Sequence, residues 1–188
     1  MAAAVPPAQP KSARPFTLIT MTGSLAAEAA RGLKDELTEL AAAAFSAPPW
    51  HETPAQARQL IDRMLSDARN PAFVLAFAFA GRGPALAGFG YGLPRRPGPF
   101  IAGNSLTFDG EPFELCELAV RPAARGRGAG RALHDAIVTA SGPQPRWLVT
   151  HPAAHPAVSL YRARGWHTER LFSSRADGST RLLMARPS

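Results

Sequence analysis

Cysteine, lysine and long hydrophobic runs are scarce in this chain of 188 residues. The single cysteine, Cys116, excludes an internal disulfide and a zinc site built from several cysteines. The longest apolar runs, near residues 40–45 and 73–80, are far shorter than the roughly 20 residues that a membrane-spanning helix needs. The N-terminus shows no apolar run of signal-peptide length either. We therefore predict a cytoplasmic protein that does not cross a membrane.

Length and composition indicate one folded unit. Residues 1–15 are rich in alanine and proline, which is typical of a disordered tail. The full sequence is 46% hydrophobic, and the part after residue 15 is long enough to bury one substantial core and short for two. We predict a disordered tail over residues 1–15 and a single domain over residues 16–188.

The net charge of +7 raises the possibility of a nucleic-acid partner. All but two of the 21 basic residues are arginines, and the two lysines are Lys11 and Lys34. The arginines are spread along the sequence and are not interleaved with aromatic residues, so a nucleic-acid surface is not predicted.

A glycine-rich segment follows an apolar stretch and precedes a helix-forming stretch, within residues 117–133. Glycine lets the backbone approach a ligand closely, and the N-terminus of a helix offers unpaired N–H donors and positive charge. This combination is typical of a phosphate-binding turn. The segment therefore predicts a ligand that carries phosphate groups, and four nearby arginines would attract it: Arg121, Arg125, Arg127 and Arg131.

The spacing of the glycines distinguishes among phosphate-binding families. A P-loop requires a lysine after its last glycine, and neither Lys11 nor Lys34 is near this segment. A dinucleotide pattern would need glycine at position 131, which is Arg131. The remaining pattern, V-x-P-x-x-R-G-x-G-x-G-x-x-L from Val120 to Leu133, resembles the acetyl-CoA motif of the GNAT acyltransferase superfamily.

The resemblance implies an α+β fold with a mixed, mostly antiparallel sheet that splays at the motif strand and is flanked by helices. It implies an acetyl-CoA-dependent N-acetyltransferase, with acetyl-CoA and an amine acceptor as partners. The alternative is a non-catalytic acyl-CoA sensor of the same fold. The implied cofactor contacts are the backbone of the motif strand and the glycine-rich turn: Leu118, Ala119, Val120, Arg125, Gly126, Arg127, Gly128, Ala129, Gly130 and Arg131.

A second segment, residues 156–166, resembles the family helix that ends in L-Y-x-x-x-G-F/W. In the family, its tyrosine commonly lies near the CoA sulfur as a general acid, which makes Tyr161 the candidate donor. A core tyrosine is the alternative. Just before this helix the family often has an asparagine that contacts the cofactor, and here His155 is the candidate replacement.

Glu117 is the candidate base for removing a proton from the amine, because burial in the motif strand would raise its pKa. Alternatively, Glu117 pairs with an arginine such as Arg121. Strand alternation places Glu114 on the opposite face, so Glu114 is a poorer candidate.

Other polar residues receive weaker functional predictions. Trp50, His51 and Glu52 lie between predicted helices, where the family forms its acceptor wall, and we expect them to contact the acceptor. His151 and His155 are four apart in a proline-containing segment without a third ligand, so no metal is predicted. We expect His134 to face solvent.

Hydrophobic periodicity and turn residues predict the element order β-α-α-β-β-β-α-β-α-β-β. The loop at 94–112 is long enough either to cover an acceptor or to join two copies in a homodimer. Predicted strands lie at 16–21, 73–80, 86–93, 113–120, 147–150, 167–173 and 181–185. Predicted helices lie at 24–45 (capped by Ser24), 54–67, 128–140 and 156–164.

Overall fold

The computed structural model describes residues 16–81, 83–103, 106–175 and 177–188. The predicted disordered tail lies outside these residues. The described chain forms one seven-stranded sheet in the order β1-β2-β3-β4-β5-β7-β6. Its strands are β1 (Phe16–Thr22), β2 (Val74–Ala80), β3 (Leu86–Pro94), β4 (Phe113–Val120), β5 (Arg146–Thr150), β6 (His167–Ser173) and β7 (Thr180–Arg186).

Neighbouring strands are antiparallel except for β4 and β5, which run parallel. The predicted mixed sheet is therefore confirmed. β2 and β3 form one antiparallel hairpin, and β6 and β7 form another.

Helices cover both faces of the sheet. They are α1 (Gly23–Gly32), α2 (Lys34–Phe45), α3 (Pro54–Asp67), α4 (Pro99–Ala102), α5 (Ala129–Ala140) and α6 (His155–Arg162). One core lies under α1, α2 and α3, and a second lies under α5 and α6. The parallel pair β4 and β5 has α5 in the connection between its strands, as parallel strands require a long crossover.

The predicted single helix at 24–45 is wrong, because the segment forms two helices that meet at Leu33. Gly32 precedes the break, and glycine is a poor helix former. Ser24 is not the cap either: the capping position is Thr22, and the helix begins at Gly23 with a φ of 59°.

Proline residues lie at the start of α3 and at the start of the short helix after β3. The start of α3 is as predicted, because Thr53 and Gln56 form a capping box ahead of the helix and Pro54 occupies the first turn. The predicted plain loop after β3 instead contains the single-turn helix α4, which Pro99 begins. A proline preset to helical φ explains how a proline-rich loop acquires this turn.

Alternate glycines in β3 bring the neighbouring elements very close. A Cβ atom on Gly90 would lie 2.8 Å from Cδ1 of Ile137 on α5, and one on Gly92 would lie 2.3 Å from the Glu114 carbonyl oxygen. These positions therefore require glycine for packing. The close approach fixes α5 against the middle of the sheet, beside the strand that carries the predicted site.

Candidate active site

β4 and β5 pair only at their first residues and then separate. The paired positions are Phe113 with Arg146 and Glu114 with Trp147. On its other side β4 stays paired with β3 as far as Val120. The edge of β4 that faces β5 is therefore open along the later residues, where Leu118, Ala119 and Val120 were predicted to contact a ligand through their backbones.

The glycine-rich turn follows the open edge. Gly126 and Gly128 have φ values of 73° and 89°, a conformation that favours glycine, and Gly128 immediately precedes α5. A Cβ atom at either position would meet nothing within 4 Å, so the space in front of the turn is open. No side chain from the described residues caps α5. Its first amides are thus available to an anion.

The four nearby arginines divide into two groups. The Arg125 guanidinium donates to the carbonyl of Ala44 at 2.7 Å and to that of Val120 at 3.3 Å, which ties the turn to the end of α2. Arg121 donates in the same way to Leu86 at 2.8 Å. Arg127 and Arg131 are exposed beside the turn. Arg125 and Arg121 therefore hold the backbone in place, and the other two supply positive charge at the surface.

A β-bulge in β4 changes which side chains share a face. Glu117 pairs with Tyr91, whereas Leu115 pairs with the next residue of β3, Gly92, so that Cys116 is the extra residue. The prediction that Glu114 faces away from Glu117 is therefore wrong. Both carboxylates line one cavity, because the extra residue reverses the alternation between them.

This cavity, which we call the acceptor cavity, has a volume of about 520 Å³ and lies on the α1–α3 side of the sheet. It is lined by residues from α2, α3, β3, β4, β5 and the β6–β7 hairpin. Apolar and acidic side chains dominate, with three arginines: Phe45, Trp50, Glu52, Gln56, Gln59, Leu60, Arg63, Asp67, Tyr91, Arg95, Glu114, Cys116, Glu117, Val149, Ser174, Asp177 and Arg181.

Glu117 lies in the acceptor cavity, and 20% of its side chain is exposed. Glu117 does pair with an arginine, as the alternative stated, but the arginine is Arg63, at 3.4 Å between its Nη2 and Glu117 Oε1, and not Arg121. Burial raises the pKa of Glu117 to about 8; Arg63 opposes this rise, and the charges of Glu52 and Glu114 add to it. Glu117 therefore takes up and releases a proton close to neutral pH.

Tyr161 lies in the second core, against the sheet face opposite the acceptor cavity. Burial raises its pKa, and the negative charge of Glu117 raises it further. Tyr161 thus keeps its proton across the neutral range.

His134 is fully buried beside Tyr161, so the prediction that it faces solvent is wrong. Its Nδ1 lies 2.9 Å from the Asp135 carboxylate, and its Nε2 accepts a hydrogen bond of 2.9 Å from the Trp166 indole. Arg164 also donates to Asp135. Burial lowers the pKa of His134. The neutral ring therefore links α5 to the residues that follow α6 and fixes the surroundings of Tyr161.

The predicted acceptor residues separate in the structure. Trp50 and Glu52 line the acceptor cavity, with Trp50 edge-on to Phe45. His51 is exposed, with a φ of 51°, and does not line it. His155 is exposed at the first residue of α6.

Two sequence-distant contributors were missed. Arg63 and Arg181 reach the acceptor cavity from α3 and β7, and no local motif marks either residue. Their positions in the cavity depend only on contacts between distant parts of the folded chain. Within the described ranges, no group of three or more histidine, cysteine, aspartate or glutamate side chains is placed to hold a metal ion. None of the described helices is both long and apolar enough to span a bilayer.

Comparison with known proteins identifies the family. A model of the GNAT acetyltransferase family matches residues 34–166. The chain belongs to this family. Curated proteins give no match to the sequence.

Solved structures show the same fold at low identity. The histone acetyltransferase HPA2 and related acetyltransferase from Corynebacterium glutamicum aligns with a TM-score of 0.63 and 22% identity, over 92% of this chain and 96% of that one. The PaiA N-acetyltransferase from Thermoplasma acidophilum, in complex with coenzyme A, gives 0.54 and 17%, over 92% and 99%. NAA60 from Arabidopsis thaliana, in complex with a bisubstrate analogue, gives 0.53 and 15%, over 90% and 97%.

Proposed function

We propose that residues 16–188 act as one acetyl-CoA-dependent N-acetyltransferase, which transfers an acetyl group to a primary amine of a small molecule or peptide. The observation that carries the proposal is the gap between β4 and β5, with an open glycine turn at one end and Glu117 beside it. The coenzyme A complex of the Thermoplasma relative supports the choice of cofactor.

Acetyl-CoA fits the open part of this site. The edge of β4 that faces β5 offers the backbone groups of Leu118 and Val120 to the pantetheine arm, as a neighbouring strand would, and Ala119 is retained as a proposed contact. The space around Gly126 and Gly128 is open, and the first amides of α5 have no side-chain cap among the described residues at the positive end of the helix, which suits a diphosphate bound by residues 126–131. Arg125 holds this turn in position, and His155 is retained as a proposed contact to the arm.

The transfer needs no covalent enzyme intermediate. The amine nitrogen attacks the thioester carbonyl carbon, the amine proton passes to Glu117, and the carbon–sulfur bond breaks to give the amide and the CoA thiolate. A carboxylate with a pKa of about 8 is well matched to a proton transfer near neutral pH. Tyr161, which keeps its proton, donates a hydrogen bond to the departing thiolate.

The test is release of free thiol from acetyl-CoA during a screen of amines and peptide N-termini. We expect turnover with at least one acceptor, and we expect Glu117→Gln and Tyr161→Phe to lower it while coenzyme A still binds by calorimetry. Coenzyme A binding without turnover for any acceptor would favour the alternative, a non-catalytic sensor. Absence of coenzyme A binding would contradict both.

A further inference from the structure

We propose that the acceptor carries a second, positively charged hydrogen-bond donor in addition to the reacting amine, as a diamine does, and that Glu52 binds this second group. The inference rests on the proposed acetyl transfer and assigns the chemical class of its acceptor.

Glu52 has an unused hydrogen-bond acceptor inside the acceptor cavity. Its Oε2 atom is buried and has no hydrogen-bond partner among the described residues. A buried carboxylate oxygen without a donor costs free energy, and buried polar atoms in folded proteins are rarely left in that state. Because Glu52 lines the same cavity as Glu117, a bound molecule there is able to supply the missing donor.

The charges around the acceptor cavity favour a cation over an anion. Among its described lining residues, each arginine already contacts a carboxylate, which reduces the positive charge available to an anionic group on the acceptor. Glu52 has no ion pair of this kind among the described residues. The pairs are Arg63 with Glu117 at 3.4 Å, Arg95 with Glu114 at 3.1 Å and with Asp67, and Arg181 with Asp177 at 3.0 Å.

The remaining walls suit a chain of methylene groups. Apolar side chains reach the acceptor cavity from four elements or their connections: Phe45, Trp50, Leu60 and Val149. Glu52 and Glu117 are electrostatically coupled, since the charge of Glu52 raises the pKa of Glu117. A diamine therefore binds with its distal ammonium group at Glu52 and with its reacting amine uncharged beside Glu117, which receives the proton released when that amine attacks the thioester.

A matched panel of acceptors tests this assignment. The panel compares alkyl monoamines, diamines, amino alcohols and amino acids with the same chain lengths, from propane to hexane. For the best length, we expect kcat/KM for the diamine to exceed that for the monoamine by about 10- to 100-fold, mainly through KM, as expected for a hydrogen bond between charged groups. The amino alcohol should be intermediate and the amino acid the poorest.

Variants of Glu52 test whether this residue causes the preference for diamines. Glu52→Gln should reduce the diamine-to-monoamine ratio to within about threefold of unity, and Glu52→Asp, which keeps the charge, should retain part of it. The control Glu39→Gln removes a carboxylate from the exposed face of α2 and should leave the ratio unchanged. A wild-type ratio near unity, or a ratio that survives Glu52→Gln, would overturn the proposal.

Calorimetry separates this proposal from the proposed function. With coenzyme A in place of acetyl-CoA, the diamine should bind the wild-type protein more tightly than it binds Glu52→Gln, whether or not the protein turns over. Turnover of monoamines without a diamine preference would leave the acetyltransferase intact and reject the Glu52 assignment. Equal diamine affinity for the two proteins would also reject it, and circular dichroism spectra of both establish that the variant is folded.

Discussion

Replacing Glu117 by glutamine should change how stability depends on pH. The folded protein holds the Glu117 proton up to a pKa of about 8, far above the ordinary value of 4.5. The folded state therefore binds more protons than the unfolded chain between these values, and wild-type stability falls as pH rises through this window. Glutamine cannot ionise, so Glu117→Gln should not show this loss.

The magnitude follows from the shift itself. From pH 5 to pH 8 the wild-type protein loses about 1.4 kcal/mol for each pH unit, which gives at most about 4 kcal/mol. The measured loss of stability will be smaller, because 20% of the Glu117 side chain is exposed and water will enter around the charge. We expect about 2 to 4 kcal/mol.

Urea denaturation at pH 5 and pH 9, followed by tryptophan fluorescence, measures this difference. The stability gained by Glu117→Gln over wild type should be larger at pH 9 by the amount given above. Glu39→Gln, on the exposed face of α2, serves as the matched control and should run parallel to wild type. If the free energy of unfolding of Glu117→Gln changed between pH 5 and pH 9 as that of wild type does, Glu117 would ionise normally. Its suitability as a base near neutral pH would then be refuted.

Three further outcomes are expected from the same site. Tyr161→Phe should lower kcat by about 10²-fold with little change in coenzyme A affinity, measured by thiol release and calorimetry. Since burial lowers the pKa of His134, the stability from its neutral form is present above about pH 6.5 and lost as pH falls, and a melting-temperature series should show less acid sensitivity in His134→Asn. Gly128→Ala, at a φ of 89°, should cost about 1–2 kcal/mol in denaturation and weaken coenzyme A binding; unchanged affinity would count against the turn as the diphosphate site.

The elements that the sequence predicted well are those with local signals. The capping box at Thr53 and Gln56 marks the start of α3, and the glycine-rich turn marks the junction of β4 and α5. These signals depend on neighbouring residues only, so they survive in the folded chain. The break at Leu33 was missed, although Gly32 precedes it, because a single glycine is tolerated inside a helical pattern and Lys34 and the residues after it favour helix.

The acceptor cavity is a different case. Glu52 and Arg63, Glu117, and Arg181 come from three distant parts of the chain and meet only when the α2–α3 segment and the β6–β7 hairpin pack around the sheet. No spacing of residues in the sequence predicts that these side chains lie together. The same holds for His134, whose burial depends on Trp166 arriving from beyond α6.

The bulge in β4 is visible in the spacing of its apolar residues, and it explains why Glu117 lines the acceptor cavity. Residues of β4 that face the second core are Phe113, Leu115, Leu118 and Val120, and the spacing of three between Leu115 and Leu118 interrupts a period of two. One extra residue, Cys116, restores the apolar face after the interruption and turns Glu117 toward the acceptor cavity. Strict alternation would have buried Glu117 among the apolar residues under α5. The bulge therefore has two effects. It keeps the apolar residues of β4 on the face of the second core, and it places Glu117, the candidate base, beside the gap where β4 and β5 separate.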